Sequence, residues 1–444
     1  MKALWTLKYM PSAPSAWVIA KLREFVRDGL SETLCVEQLE ALGHGCSARQ
    51  VKRWKKAHNI HRFTKISDAE LDAVLRRVHA AGNAGAREGH RWVHSAVNAE
   101  LAPLRIGRGR VRKSLLRLFP NQVAERRRTV EQRLIRRVYT RQYYLEAGHL
   151  DYNCKATLPG GIKLYTYGHV DGDSRYIAAL EVSVVKTAKA AFEEGFLRAL
   201  ETDGCAVSDT IYLDAGREWA VIAYAMNQQG LPYKVVRSTR NVKVERPWGD
   251  WNVKCVAQLR EAALNLEKDA TYDSSDVHDQ YALRVAAMLA LQAGADEFRE
   301  RYNEHNVAGP RGGVPSLRRK YRTRPAGIAP AATFDVTRDW AAEYAAATGR
   351  EYHGEQHFVQ YYVDELLDGL GALQPRSPLP RDAWVNIKMS DGRGAFRELF
   401  ESARLVSQGF ATAGSILESE CAERRRRLGV RILTEDPKDQ DDEV

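Results

Sequence analysis

The stretch HLDYNCKATLPGGIKLYTYGHVDGDSRYIAALEV (149–182) decides the fold of the central part of the chain. It holds three short, partly alternating segments, at 149–155, 163–171 and 174–182, which are separated by the turn signals PGG (159–161) and GD. Alternating segments bounded by glycine, proline and aspartate are typical of strands joined by turns. The sequence therefore predicts three consecutive antiparallel strands.

Beyond this stretch, helical and strand patterns alternate. Helical periodicity covers 187–201 and 217–230, whereas TIYLD (210–214) and LPYKVV (231–236) are short apolar segments that predict strands. Three strands followed by alternating helix and strand predict an α/β fold, with a mixed five-stranded sheet covered by helices on both faces. Helices are predicted to dominate from 242 to 306.

The composition sets limits on the class of protein. The chain has 444 residues, 44% hydrophobic and 28% charged, which excludes a fibrous or wholly disordered protein. The six cysteines form no CxxC pair, so neither a zinc ribbon nor a disulfide framework is indicated. The apolar runs are far shorter than the roughly 18 residues of a membrane span. We therefore expect a soluble, intracellular protein without a membrane partner, which would be nuclear in a eukaryotic host.

The charge is unevenly distributed. Residues 1–150 contain 29 lysines and arginines against 13 acidic residues, whereas the net charge of the whole chain is only +10. This excess in the first third favours a polyanionic partner such as DNA or RNA. Solvated basic helix faces are the alternative interpretation.

Two helical units are predicted in this basic region, at 1–65 and 66–145, the second ending in a basic linker. In the first unit, VEQLEALGHGCSARQVKRWKKAHNIH (36–61) has an apolar helix face, a glycine turn and a second helix that Ser47 can cap. This pattern is typical of a helix-turn-helix, with an ordinary helical hairpin as the alternative. Cationic side chains on such helices neutralise DNA phosphates. The candidate DNA-binding residues are Arg49, Lys52, Arg53, Lys55, Arg110, Arg112 and Lys113.

The chain beyond the predicted core, 146–310, is less informative. Residues 311–332 are rich in glycine, proline and arginine and are predicted to be a linker. Residues 333–433 are predicted to be mostly helical, with WVNIK (384–388) as a possible strand. The tail, 434–444, is acidic and predicted to be disordered.

Three acidic residues have positions that suit one chemical task. Asp151 lies in the first predicted strand, Asp214 ends the fourth, and Glu245 lies at the start of a predicted helix. Carboxylates held together repel one another, which is tolerable mainly if divalent cations neutralise them. Oxygen ligands suit Mg²⁺ or Mn²⁺, and a pair of such ions stabilises both oxygens of a phosphodiester displacement. The alternative for each residue is an ordinary acid at the end of a strand or helix.

These segments resemble the integrase core family, the retroviral-integrase-like DDE transposases with an RNase H-like fold, and in particular its eukaryotic members. The matching stretches are GHLDYNCK (148–155), GHVDGDSRYIAALEV (168–182), IYLDAGREW (211–219), NVKVERPWGDW (241–251), and FRERYNEHNV with GGVPS (298–316). The resemblance implies that Asp151, Asp214 and Glu245 are the catalytic acids and bind two Mg²⁺ or Mn²⁺ ions per active site. It matches Asp171, Ser174 and Arg175 to a structural turn.

The chain departs from the family pattern in places. Gly148 stands where relatives place a tryptophan before the first acid, and Tyr152 replaces the glycine after it. Pro247 follows Glu245 by two residues, and proline is tolerated in the first turn of a helix. The helix is therefore predicted to begin near 242–245. No histidine and cysteine spacing matches the N-terminal zinc module of retroviral integrases.

The resemblance implies an enzyme that nicks DNA and joins a DNA 3′ hydroxyl to a target. Its partner would be double-stranded DNA, with no small-molecule substrate, and joining two ends would require a homo-oligomer. Arg237, Arg240 and Lys243 are candidates to hold the DNA backbone, with a solvated face as the alternative. Two other functions stay open: an inactive relative that only binds DNA, and an RNase H-like nuclease that cuts without joining.

Overall fold

The protein is described from a computed structural model. It describes residues 14–61, 63–64, 66–80, 90–102, 104–120, 141–236, 241–307, 313–349, 363–364, 367–368, 380–388 and 394–413. The chain divides into an N-terminal unit, Met1–Tyr144 with Arg301–Pro325, and a core unit, Leu145–Glu300 with Ala326–Val444. Across the described ranges, no helix is both long and apolar enough to cross a membrane.

The N-terminal unit contains two hydrophobic cores, each formed mainly by three helices. The first core buries Leu22, Leu39 and Val51, one from each of its helices. The first three helices begin at serine caps, and Ser47 also forms a capping box with Gln50. The helices are α1 (Ala16–Arg27), α2 (Glu32–Ala41), α3 (Ala48–Ala57), α4 (Asp68–Ala80), α5 (His90–Glu100) and α6 (Arg108–Leu118).

The core unit is built on a five-stranded sheet of order β3-β2-β1-β4-β5. β1 and β2 pair antiparallel, as do β2 and β3, whereas β4 pairs parallel with both β1 and β5. This confirms the predicted mixed sheet. The strands are β1 (Gly148–Thr157), β2 (Lys163–Asp171), β3 (Ile177–Ser183), β4 (Ile211–Leu213) and β5 (Tyr233–Val235).

Helices cover both faces of this sheet. Leu150 and Tyr152 of β1 share a hydrophobic core with Phe192 of α7 and Ile222 of α8, whereas α9 packs on the opposite face of β1 and β2. A π-helical segment, Asn252–Val256, joins α9 to α10. The helices are α7 (Ala188–Ala190, Ala191–Leu197 and Arg198–Glu201, continuous), α8 (Ala220–Gln228), α9 (Val242–Trp251), α10 (Ala257–Lys268) and α11 (Val277–Glu304).

After α11, the regular elements among the described residues are all helices. The helices are α12 (Pro315–Tyr321), α13 (Trp340–Thr348), α14 (Pro380–Lys388) and α15 (Ala395–Ala413). The segment 311–332, predicted to be a linker, therefore contains a helix, which begins at Pro315 because proline suits the first helical position. The predicted segments 121–140 and 434–444 lie outside the described residues.

The prediction of a strand at 384–388 is wrong, because these residues belong to α14. Trp384 and Ile387, three residues apart, are both buried, which is the spacing of one helix face rather than of a strand. The ring of Trp384 lies against Gly294, where a Cβ atom would be only 2.7 Å from it, and its indole N–H donates to Glu297 at 2.9 Å. Packing against α11 therefore fixes this segment as a helix.

Candidate active site

Asp151 lies on the face of β1 that is turned away from the hydrophobic core. Side chains alternate along a strand, so Leu150 and Tyr152 enter that core while His149 and Asp151 face α9. The carboxylate of Asp151 is half-buried, and its Oδ2 atom accepts a hydrogen bond of 2.8 Å from the indole N–H of Trp248. The first candidate acid is thus held in place and is also accessible to solvent.

Asp214 directly follows β4, the parallel neighbour of β1. Gly148 pairs with Ile211 and His149 with Tyr212, and the rings of His149 and Tyr212 stack at 4.8 Å. Two residues further along each strand, the same register brings Asp151 beside Asp214. Neighbouring strands lie about 5 Å apart, so the two carboxylates end up on the same face at neighbouring strand ends.

The carboxylate of Asp214 is oriented by its own turn. Its Oδ1 atom accepts hydrogen bonds from the backbone N–H of Gly216, at 3.1 Å, and from the indole N–H of Trp219. Trp219 is almost completely buried, so it is a rigid donor. Both aspartates therefore accept a hydrogen bond from a buried tryptophan, a feature that sequence analysis did not identify.

Glu245 lies in the first turn of α9 and is exposed. The helix begins at Val242, which confirms the predicted start, and Pro247 falls in the second turn rather than the first. Asn241 ties the beginning of the helix to β1: its Nδ2 donates to the carbonyl of Leu150 at 2.6 Å, and its Oδ1 lies 2.7 Å from Nδ1 of His149. Glu245 is thereby held beside the strand that carries Asp151.

The three carboxylates interact electrostatically. Burial raises the pKa of Asp151 to about 6; the Trp248 hydrogen bond opposes this rise, and the negative charges of Asp214 and Glu245 add to it. Asp214 and Glu245 are thus close enough to Asp151 for their charges to affect its pKa. Like charges in such proximity favour either a shared proton or a bound cation.

The donor set suits a hard divalent cation. Carboxylate oxygens are the ligands that Mg²⁺ and Mn²⁺ prefer, and Asp151 and Asp214 offer them from rigid strand ends. Within the described ranges, no three His, Cys, Asp or Glu side chains are gathered closely enough to form a ready metal site. Among the described residues, the three acids are therefore neighbours that do not form a preformed three-ligand cluster.

A lysine that sequence analysis also missed lies near these acids. Lys186 forms an ion pair of 2.8 Å with Glu218 and is close enough to feel the charge of Asp214. Burial lowers the pKa of Lys186, but the hydrogen bond and charge of Glu218 outweigh this effect and raise it above its usual value. A permanent positive charge thus lies at the rim of the acidic region. No sequence motif identifies Lys186, because it is far along the chain from each of the three acids.

Asp171 has the structural role that the resemblance implied. Its Oδ1 atom accepts from the backbone N–H groups of Asp173 and Ser174 and from the Ser174 hydroxyl at 2.6 Å, and its Oδ2 accepts from the N–H of Leu145. Arg175 has a φ of 61°, so the turn contains a left-handed residue. Oδ1 of Asp171 therefore stabilises the turn after β2, and Oδ2 binds the segment just before β1.

The predicted DNA-binding residues of the N-terminal unit differ in their surroundings. Two of them form ion pairs: Lys55 with Glu32 at 2.7 Å, and Arg110 with Asp68 at 2.5 Å. The exposed ones are Arg49, Lys52, Arg53, Arg112 and Lys113. Near the acids, Lys243 is half-buried in α9, whereas Arg237 and Arg240 lie outside the described residues.

A mixed sheet of this order, with helices on both faces, is an RNase H-like fold, and it carries acids on β1, after β4 and on the following helix. Comparison with known protein families supports this fold. Residues 138–317 match the family described as "Integrase core domain". No curated protein shows a significant match to the chain.

Proposed function

We propose that the protein is a DDE-type integrase or transposase, which nicks DNA strands and transfers a 3′ hydroxyl end to a target strand. The observation that supports this most strongly is the placement of Asp151 and Asp214 at neighbouring strand ends, with Glu245 on the following helix, in a segment that matches an integrase core domain. Members of this family generally use divalent metal ions. Double-stranded DNA is the proposed substrate, bound in part by the basic N-terminal unit.

In this proposal the three acids act as ligands and not as nucleophiles. Asp151 and Asp214 would hold cations from neighbouring strand ends, and Glu245 would complete the set from α9. When bound, two Mg²⁺ or Mn²⁺ ions supply Lewis-acid activation of water, then of a DNA 3′ hydroxyl, and stabilise the leaving oxygen. No covalent bond between protein and DNA is formed. Arg237, Arg240 and Lys243 are proposed to hold the DNA backbone near Glu245.

Substitution of Glu245 by glutamine tests this proposal. Glu245 is exposed, so the isosteric change removes one negative charge without disturbing the core. We expect Mn²⁺-dependent nicking and joining of a supercoiled plasmid to fall at least 100-fold while DNA binding is retained. Glu267→Gln, which changes an exposed glutamate on α10 in the same way, is the matched control and should retain activity.

The products also separate the alternative functions. Joined products require an integrase, whereas nicked and linear plasmid without joined products would indicate a nuclease. A wild-type chain that binds DNA but neither nicks nor joins would indicate an inactive DNA-binding relative. Full activity of Glu245→Gln would overturn the assignment of the site.

A further inference from the structure

The indole ring of Trp248 fits over a residue without a side chain on the neighbouring strand. Gly168 of β2 stands directly opposite Asp151 in the β1–β2 register. A Cβ atom at Gly168 would lie 2.6 Å from Cη2 of Trp248 and 2.7 Å from Cζ2, distances that real Cβ contacts essentially never show. Only glycine at this position lets the ring cross β2, and only from there does its N–H reach Asp151.

The same tryptophan belongs to the helix that carries Glu245. Glu245 and Trp248 are three residues apart on α9 and therefore lie on the same side of that helix. Asn241 binds the beginning of α9 to β1, and Trp248 binds its second turn to β1 through Asp151. Glu245 lies between these two attachment points, which hold the backbone of this part of α9 against β1.

We propose that Trp248 is a positioning residue for cation binding, and that Gly168 provides the space it needs. Its N–H orients the carboxylate of Asp151 and sets the spacing between Asp151 and Glu245, which would otherwise repel each other. The inference rests on the proposed function of the three acids. Losing a hydrogen bond to a metal-binding side chain typically costs 10- to 100-fold in metal affinity or activity.

Trp248→Phe tests this, because it keeps most of the buried ring and removes the N–H. We expect at least 10-fold weaker Mn²⁺ binding by the full chain in calorimetry, and a matching loss of kcat for plasmid nicking with an unchanged KM for DNA. Trp251→Phe is the matched control. Trp251 is a fully buried tryptophan of the same helix, and its indole nitrogen has no hydrogen-bond partner among the described residues, so Mn²⁺ affinity should stay within 2-fold.

Gly168→Ala provides a second route to the same effect. The added methyl group displaces the ring, so we expect a loss of Mn²⁺ affinity like that of Trp248→Phe, and no further loss in the double variant, because both changes break one interaction. Wild-type Mn²⁺ affinity in Trp248→Phe, or an equal loss in Trp251→Phe, would overturn the inference alone. A wild-type chain that binds no Mn²⁺ would overturn the proposed function as well.

A separate observation concerns a cleft in the N-terminal unit, with a volume of about 370 Å³. It lies where the segment between α3 and α4 passes the second half of α1, at the junction of the two three-helix cores. Besides two aliphatic residues, its lining consists of Arg23, Arg27, Arg105, His61, Asn59 and Thr64. The cleft is thus bounded by cationic and hydrogen-bonding groups, and no carboxylate is among the described residues that line it.

The nearest acids in sequence are engaged with other cations. Glu24 pairs with Lys21 at 2.9 Å, and Asp28 pairs with Lys320 at 2.5 Å. Arg105 is held in the cleft, because its Nε donates to the carbonyl of Arg27 at 2.9 Å and its guanidinium lies on Gly29, where a Cβ atom would be 2.6 Å away. The guanidinium of Arg105 is therefore fixed in the cleft, whereas Arg23 and Arg27 are exposed at it.

We infer that this cleft binds a DNA backbone phosphate, which would let both three-helix cores engage one duplex. The inference deepens the proposed DNA-binding role of the unit. The test is the salt dependence of binding to two unrelated duplexes, measured by fluorescence anisotropy with the full chain. Arg23→Ala and Arg27→Ala change exposed side chains, and each should weaken binding to both duplexes equally and reduce the slope of log affinity against log salt by about 1.

Lys21→Ala, on the same helix, removes a lysine that is paired with Glu24 and should leave the slope unchanged. An unchanged slope in the double variant of Arg23 and Arg27 would overturn the cleft as a phosphate site. Absence of DNA binding by the wild-type chain would overturn both this inference and the proposed function.

Discussion

Lys55 Nζ lies 2.7 Å from Glu32 Oε1, and only 12% of the lysine side chain is exposed. The pair joins α3 to α2, the two helices that were predicted to form the helix-turn-helix. A cation that the sequence assigned to DNA binding is therefore also part of the packing of this core. Lys52, one turn earlier on α3, is exposed.

This contrast predicts different outcomes for two alanine variants of α3. Lys52→Ala should weaken DNA binding and reduce the salt slope by about 1, because a surface cation that neutralises a phosphate is lost. Lys55→Ala should leave the slope unchanged and lower the free energy of unfolding by about 0.5–1 kcal/mol, because a partly buried ion pair is lost. Anisotropy titrations and urea denaturation distinguish the two effects. A change of slope in Lys55→Ala would show that Glu32 does not keep this lysine from DNA.

The sequence was sufficient to predict the features that depend on local residue patterns. Alternating segments and turn signals located the strands, and the resemblance pointed to Asp151, Asp214 and Glu245. The tryptophan contacts were not predictable, because they depend on the register of remote segments. Gly168 and Trp248 meet only because β2 pairs with β1 at Asp151. In the same way, an isolated WVNIK segment fits a strand, whereas in the structure it is part of a helix that packs on α11.

Gly148 offers a test of packing next to the site. A Cβ atom there would lie 2.6 Å from Nε2 of His169, 2.8 Å from Cδ1 of Ile211 and 3.0 Å from the hydroxyl of Ser208. Gly148→Ala should therefore lower the free energy of unfolding by about 1–3 kcal/mol, because these buried groups have to move apart. Urea denaturation followed by tryptophan fluorescence measures the loss.

The matched control for this prediction is Gly249→Ala. Gly249 lies inside α9, and a Cβ atom there would meet no atom of the described residues within 4 Å apart from the nearby backbone of its own helix. Alanine is the better helix former, so this variant should be more stable than the wild type by about 0.5–1 kcal/mol. Equal stability of the two variants would mean that the space around Gly148 can relax.

The pKa of Asp151 predicts a pH dependence of stability in the metal-free protein. Its pKa is raised to about 6 in the folded chain from an ordinary value of 3.8, mainly by burial. The folded state therefore holds this proton more tightly than the unfolded state. The resulting stabilisation is complete below about pH 3.8 and is lost as the pH rises through 6.

The loss attributable to Asp151 should be on the order of 1–3 kcal/mol. Burial also raises the pKa values of Asp171 and Glu181, each to about 7, so the wild-type curve contains their contributions. Asp151→Asn isolates the effect of Asp151: between pH 4.5 and 7.5, with EDTA present, its free energy of unfolding should fall less than that of the wild type. Parallel curves would show that Asp151 titrates normally.

Cation binding should reverse this instability. The negative charge of Asp214 disfavours ionisation of Asp151, and a divalent cation bound between them would remove this repulsion. A ligand at 100 times its Kd stabilises the folded state by about 2.7 kcal/mol, so millimolar Mn²⁺ should raise the Tm of the wild-type chain measurably. The increase should be smaller at pH 5, because Asp151, with a pKa of about 6, is then mostly protonated. Asp214→Asn should abolish the increase in Tm at both pH values. Asp209→Asn, a change just before β4, is the control and should retain the increase. An undiminished increase in Asp214→Asn would place the cation elsewhere.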